Sequence, residues 1–213
     1  MDTTNYATQL EGYLDSLVQR RPAELQAMER YAQQTNFPIV GPASGQFCYM
    51  LTRMLGARSV FELGSGFGYS TAWFARGVVE NGGGKVYHVV WNDELSQRAR
   101  KHLGALGFDG VIEYRVAEAV ETLRNTEGPF DLIFNDIDKH AYPESLAVIH
   151  QKLRPGGALI VDNLLWHGQI MNPNDHERST EAIREFTRMI TSSPDWVASL
   201  VPIRDGLMVA YKK

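Results

Sequence analysis

Four polar residues in the second half of the chain carry groups from which a cation site or an acid–base pair is built. Asp136 follows the apolar run DLIFN, Lys139 comes three residues later, and Asp162 and Asn163 follow the run ALIV. If those two runs are neighbouring strands, about 4.8 Å apart, their ends bring two carboxylates and an amide oxygen together. Hard oxygen donors with no cysteine beside them suit Mg²⁺, Mn²⁺ or Ca²⁺ better than zinc. The same acids could equally hydrogen-bond loops or cap helices, and spacing alone leaves both readings open. A second candidate is Glu62-Leu63-Gly64-Ser65-Gly66-Phe67-Gly68-Tyr69-Ser70. Glycines at a strand-to-helix turn let a ligand approach the backbone, and the helix start beyond them favours anionic groups. A dinucleotide fingerprint would need glycine at position 69, which is Tyr69, so a nicotinamide-dependent oxidoreductase is disfavoured.

The elements that must position these residues follow from periodicity. The first 55 residues read as helical. Leu10, Tyr13, Leu14, Leu17 and Val18 fall at helical spacing, as do Leu25, Met28, Tyr31 and Ala32 behind Pro22, and a third helix runs from about Ala43 to Leu55. From residue 56 onward, short apolar runs at Ser59–Leu63, Val86–Trp91, Val111–Val116, Asp131–Asn135 and Ala158–Val161 alternate with helical patterns. Those patterns lie at about Ser70–Glu80, Glu94–Leu106, Glu118–Arg124 and Tyr142–Leu153. Such alternation predicts an α/β fold with a doubly wound, mostly parallel sheet. A helix over Thr180–Ile190 precedes strands VASLVPI and LMVAY, joined by Arg204-Asp205-Gly206, which reads as a hairpin. The expectation is seven strands with the last pair antiparallel.

Composition bounds the partners. The chain of 213 residues fits one domain, residues 1–55 supplying helices and 56–213 the core. The net charge of −4 argues against a general nucleic-acid binder. One cysteine, Cys48, excludes an internal disulfide framework, fits a reducing compartment and reads as a core residue. The polar N-terminal stretch MDTTNYATQLEGYLD resembles neither a signal nor a transit peptide, and no apolar run is long enough for a membrane span. A cytoplasmic location is the expectation.

The blocks FELGSGFGYST, GPFDLIFNDIDKHAYPE, LRPGGALIVDNLLWHG and AIREFTRMI…LVPIRDGLMVA stand in order between Pro42 and Lys212. In these the chain resembles the cation-dependent O-methyltransferases of the catechol and caffeoyl-coenzyme A type, a branch of the class I S-adenosylmethionine-dependent methyltransferases. The resemblance implies a Rossmann-like sheet, S-adenosylmethionine as cofactor, a divalent metal, a small phenolic acceptor and homodimerisation. It implies Asp136, Asp162 and Asn163 as metal ligands and Lys139 with Asp136 at the catalytic centre. Val40, Gly41, Glu62, Gly64, Ser65, Gly68, Ser70, Glu118 and Asp136 fall at its cofactor pocket, and Trp166 with Lys139 at its acceptor site.

One departure stands out. The family's acid at the end of the second strand, which holds the cofactor ribose, is replaced by Val90. Asn92 or Asp93 is then the candidate ribose partner, and Trp91 reads as core, with stacking near the adenine as the alternative. Val90 also motivates a rival reading, a non-catalytic binding protein on a degenerate methyltransferase scaffold. Ser65-Gly66-Phe67 and Asn135 depart from the family's usual residues too. His140 and His167 flank the site without matching a ligand position, and His88, His102, His150 and His176 show no ligand spacing.

Overall fold

Alternation along the strands sends neighbouring side chains into two apolar layers. In β1 (Ser59–Leu63) Val60 faces one layer and Phe61 and Leu63 the other; in β4 (Phe130–Asn135) Leu132 and Phe134 oppose Ile133. The first layer is completed by α2 (Ala23–Thr35), α3 (Gly41–Met54), α4 (Tyr69–Glu80) and α5 (Asp93–Ala105), through Met28, Cys48, Trp73, Phe74 and Leu103. The second is completed by α6 (Ala119–Asn125), α7 (Tyr142–Lys152) and α8 (Arg178–Ser192), through Leu123, Ile149, Ile183 and Phe186. A computed structural model describes residues 3–213; Met1 and Asp2 of the N-terminal stretch lie outside the described residues.

With β2 (Lys85–Val90), β3 (Ile112–Val116), β5 (Leu153–Val161), β6 (Trp196–Val201) and β7 (Leu207–Lys212), the sheet has seven strands in the order β3-β2-β1-β4-β5-β7-β6. The first five are parallel; β7 runs antiparallel to both β5 and β6. This is the doubly wound sheet with a reversed last pair that the element pattern predicts. Chain order reverses between β1 and β4, which opens a crevice at their C-terminal ends.

Four local expectations are corrected. The hairpin before β7 spans residues 202–206 rather than three residues, because β6 ends at Val201. Strand β5 begins at Leu153, not Ala158, since Leu153 already pairs with Phe130 across a register shift. Helix α3 begins at Gly41, two residues early, with Pro42 in its first turn where a missing N–H costs nothing. Trp91 is not core: β2 stops at Val90, and its side chain is 77% exposed in the turn before α5. In and after α1 (Thr3–Ser16), the stripe Tyr6, Leu10, Tyr13 and Leu17 also faces outward.

Helix α3 meets α4 through Gly45, where a Cβ would overlap the buried Trp73 indole. Alanine gains about 1 kcal/mol of helix propensity over glycine, but forcing the indole aside costs roughly 1–3 kcal/mol. Gly45→Ala is therefore expected to lower the urea midpoint. Gly12→Ala, with nothing within 4 Å of the added methyl, is expected to raise or preserve it.

Candidate functional site

The crevice between β1 and β4 is where the two polar constellations meet. Gly64 has φ +85°, and a Cβ there would overlap the carbonyl oxygen of Asp136. Only glycine lets the turn after β1 lie against the end of β4, so the glycine motif and the first carboxylate are in backbone contact. Ser65 fastens the turn to β2: its N–H donates to Val89 O at 3.0 Å and its hydroxyl accepts from Val89 N at 2.9 Å. Gly68, φ +91°, opens α4 and packs on Ala99 and Leu103 of α5.

Below the turn lies Glu62, fully buried among the first layer's side chains. Its Oε2 accepts a 2.5 Å hydrogen bond from Thr71, whose oxygen lies 3.1 Å from His88 Nδ1. A hydroxyl has one proton, so while Glu62 is ionised Thr71 donates to it and accepts from His88 Nδ1–H. Burial holds His88 neutral, its pKa pushed down to about 3 with help from the Arg100 charge. Burial also raises Glu62 to about 7, against the easing effect of the Ser70, Thr71 and Ser65 hydroxyls. Glu62 Oε1 has no hydrogen-bond partner among the described residues. A buried carboxylate oxygen without a donor is costly, and here it lies beside a glycine turn.

Asp136 and Asp162 emerge side by side because Asn135 and Val161 are paired residues of β4 and β5. Burial raises the pKa of each; Asp162 reaches about 7, the Asp136 charge being the second cause. Lys139, in a short 3-10 turn, donates to Asp136 Oδ1 at 2.7 Å and to Ile137 O at 3.2 Å. Its ammonium also lies 5.2 Å from the Tyr142 ring, and the Tyr142 hydroxyl donates to Asp162 O at 2.9 Å. Asn163 adopts φ +61°; its N–H donates to Asp162 Oδ1 and its Nδ2 to Asp205 Oδ2 at 3.3 Å. Among the described residues no group of three or more His, Cys, Asp or Glu could hold a metal ion; this cluster is two carboxylates plus an amide.

The other predicted residues fall at the rim. Val40 and Gly41 start α3, and Arg204 of the β6–β7 loop packs on Gly41 while donating to Ile39 O and to Glu11 Oε1. Ser70 lies in the first turn of α4. Trp166 opens a 3-10 segment and stacks on His167. Asn92 caps α5, its Oδ1 accepting from Leu95 N, and Asp93 accepts from Gln97. Glu118 caps α6 with bonds from Val120 and Glu121 N–H, and lines a 540 Å³ cavity with Tyr87, Arg115 and Glu121. None of the carboxylate-pair residues borders that cavity. Sequence reasoning did not single out Thr71, Tyr142 or Asp205, and read His88 only as lacking ligand spacing. Asp205 was legible only as a turn residue, and no spacing rule links it to Asn163.

Residues 18–213 match the O-methyltransferase family. The chain belongs to the O-methyltransferase family. Within it, the chain is 26% identical to a catechol O-methyltransferase of Niastella koreensis, covering 96% of each, and 29% identical to one of Mycobacterium tuberculosis, covering 89% and 86%. The O-methyltransferase from Bacillus cereus in complex with SAH superposes with a TM-score of 0.86 at 26% identity, covering 96% of this chain and 97% of that one. The TomG O-methyltransferase of Streptomyces achromogenes, in complex with SAM, gives 0.85 at 24% identity, over 96% of each, and shares the fold. No helix among the described residues is long and apolar enough to cross a membrane.

Glu62 generates a pH test. Its folded pKa lies above the ordinary 4.5, so the folded state binds more protons and stability falls as pH rises from about 4.5 to 7. Glu62→Gln keeps an acceptor for Thr71 and removes one titration. The urea midpoint of the variant should therefore fall less than that of the parent between pH 4.5 and 7.5. Parallel curves would contradict the assignment.

Proposed function

We propose that the chain transfers a methyl group from S-adenosylmethionine to one hydroxyl of an ortho-diphenol of catechol or caffeoyl type, with a divalent cation. The observation that carries this reading is the contact of the Gly64 turn with Asp136, beside Asp162 and Asn163. The residues fit both groups. Two adjacent carboxylates, each held above its usual pKa by burial, with an amide alongside, are a hard-oxygen donor set suited to Mg²⁺, Mn²⁺ or Ca²⁺. The unpartnered Glu62 Oε1 and the glycine turn suit a cofactor that carries positive charge.

When bound, the cofactor supplies an electrophilic methyl and the cation lowers the pKa of a phenolic hydroxyl. The rest falls to the protein. Asp136, Asp162 and Asn163 fix the acceptor's position relative to the cofactor, which is worth much of the barrier in an in-line displacement. Lys139 is the group that takes the acceptor's proton, at Nζ. Trp166 walls the acceptor side. Glu62, Gly64, Ser65, Gly68 and Ser70 seat the methionine end of the cofactor, with Val40 and Gly41 above it. Glu118 faces the adenine, and Asn92, whose NH₂ stays free while Oδ1 caps α5, donates to the ribose.

Val90 favours the second reading, a scaffold that has lost catalysis, because β2 ends in a buried valine with no carboxylate for a ribose. Calorimetry with S-adenosylmethionine and Mg²⁺ separates the two: measurable binding is expected, and no binding would favour the scaffold.

Mass spectrometry of an ortho-diphenol panel, with Mg²⁺ or EDTA, should find a mono-methylated product that chelation abolishes. Asp136→Ala should abolish turnover. Lys139→Ala should cut kcat roughly 10²–10⁴-fold with cofactor affinity within about twofold. Full turnover in Asp136→Ala would overturn the metal assignment.

A further inference from the structure

The loop that carries Asn163 and Trp166 is held in an uncommon backbone conformation. Asn163, Trp166 and His167 have φ of +61°, +47° and +51°, a region that L-residues other than glycine seldom enter and that persists only where surroundings enforce it. One residue of the β6–β7 loop does most of the enforcing. Asp205 Oδ1 accepts from His167 N at 2.5 Å and Asp205 O from Leu165 N at 2.8 Å, while Gly206 O accepts from Leu164 N at 3.0 Å. Asp205 Oδ2 takes the Asn163 side chain at 3.3 Å.

That last contact has a direction. An ionised carboxylate only accepts hydrogen bonds, and an amide has one donating and one accepting end. Asp205 therefore fixes the Asn163 NH₂ toward itself, which turns Oδ1 away from Asp205 and leaves it available to a cation. We infer that Asp205 is a positioning residue that selects the metal-ligating rotamer of Asn163. The inference rests on the reading that Asn163 holds a divalent cation.

Exchanging the two groups tests the direction itself. In Asp205→Asn, the new amide keeps an oxygen for His167 N–H but turns its NH₂ to Asn163. Two donors then face one another, and Asn163 must flip its oxygen away from the cation. Adding Asn163→Asp restores a donor facing an acceptor and returns an oxygen to the site. Mn²⁺ affinity, measured by electron paramagnetic resonance for the parent, both single variants and the double variant, reads this without turnover. Asp205→Asn should weaken Mn²⁺ binding roughly 10–100-fold, the range for partners that orient a metal ligand. Its thermal midpoint and S-adenosylmethionine affinity should stay near the parent's.

Asn163→Asp should improve Mn²⁺ binding at least about tenfold more in the Asp205→Asn background than in the parent, a coupling that a double-mutant cycle isolates. Equal gains in both backgrounds would mean that added charge alone acts, and would overturn the inference. So would unchanged affinity in Asp205→Asn while the parent binds Mn²⁺. A parent that binds no Mn²⁺ would remove the metal reading and this inference with it, and the parent titration tells that failure from the other two.

Discussion

Two carboxylates leave adjacent strands at the same level, and the rest of the site answers to that constraint. The pairing of Asn135 with Val161 sends Asp136 and Asp162 out together, and shifting either would slip β4 against β5 through the centre of both apolar layers. Two unit charges about 5 Å apart, the spacing of neighbouring strands, repel by roughly 3 kcal/mol at the effective dielectric of a protein site. Burial raises both carboxylate pKa values, the Asp136 charge adding to the rise at Asp162, while a Lys139 ion pair at 2.7 Å and the positive charge of Arg204 ease them. An acid pair kept at this cost is a reason to look for a cation, and the proposed function supplies one.

The glycine turn beside this pair is shaped by close backbone approach. Gly64 is glycine because the Asp136 carbonyl lies where its side chain would be. The turn is then pinned by Ser65 to β2, and Glu62 is held by Thr71, whose hydroxyl also meets His88. The β6–β7 loop closes the far side in two directions. Arg204 ties the start of α3 and Glu11 of α1 to the loop, and Asp205 ties the strained segment after Asn163. The start of α3 and the segment after Asn163 thus share one short connection.

Much of this was legible before any coordinates. Short apolar runs separated by helical stretches gave the parallel sheet, and the Asp-Gly hairpin signal gave the reversed strand pair. Glu62, the three glycines, Asp136, Asp162 and Asn163 stood out because strand ends and glycine turns are local patterns. What stayed hidden depends on distant partners. Asp205 meets Asn163 across 42 residues and Thr71 meets His88 across 17, and no spacing rule encodes either contact. Trp91 was misread because an aromatic residue after an apolar strand looks like its continuation. Its exposure follows from the N-cap at Asn92, which ends the strand one residue early.

The central claim is that the paired strand ends hold a divalent cation beside the glycine turn. Crystals grown with Mn²⁺ and S-adenosylmethionine, measured across the manganese absorption edge, test it directly. The account predicts one anomalous peak at roughly 2.0–2.6 Å, the range for hard cations with oxygen ligands, from oxygens of Asp136, Asp162 and Asn163. A peak elsewhere, with Lys139 still paired to Asp136 and no manganese between the carboxylates, would contradict it.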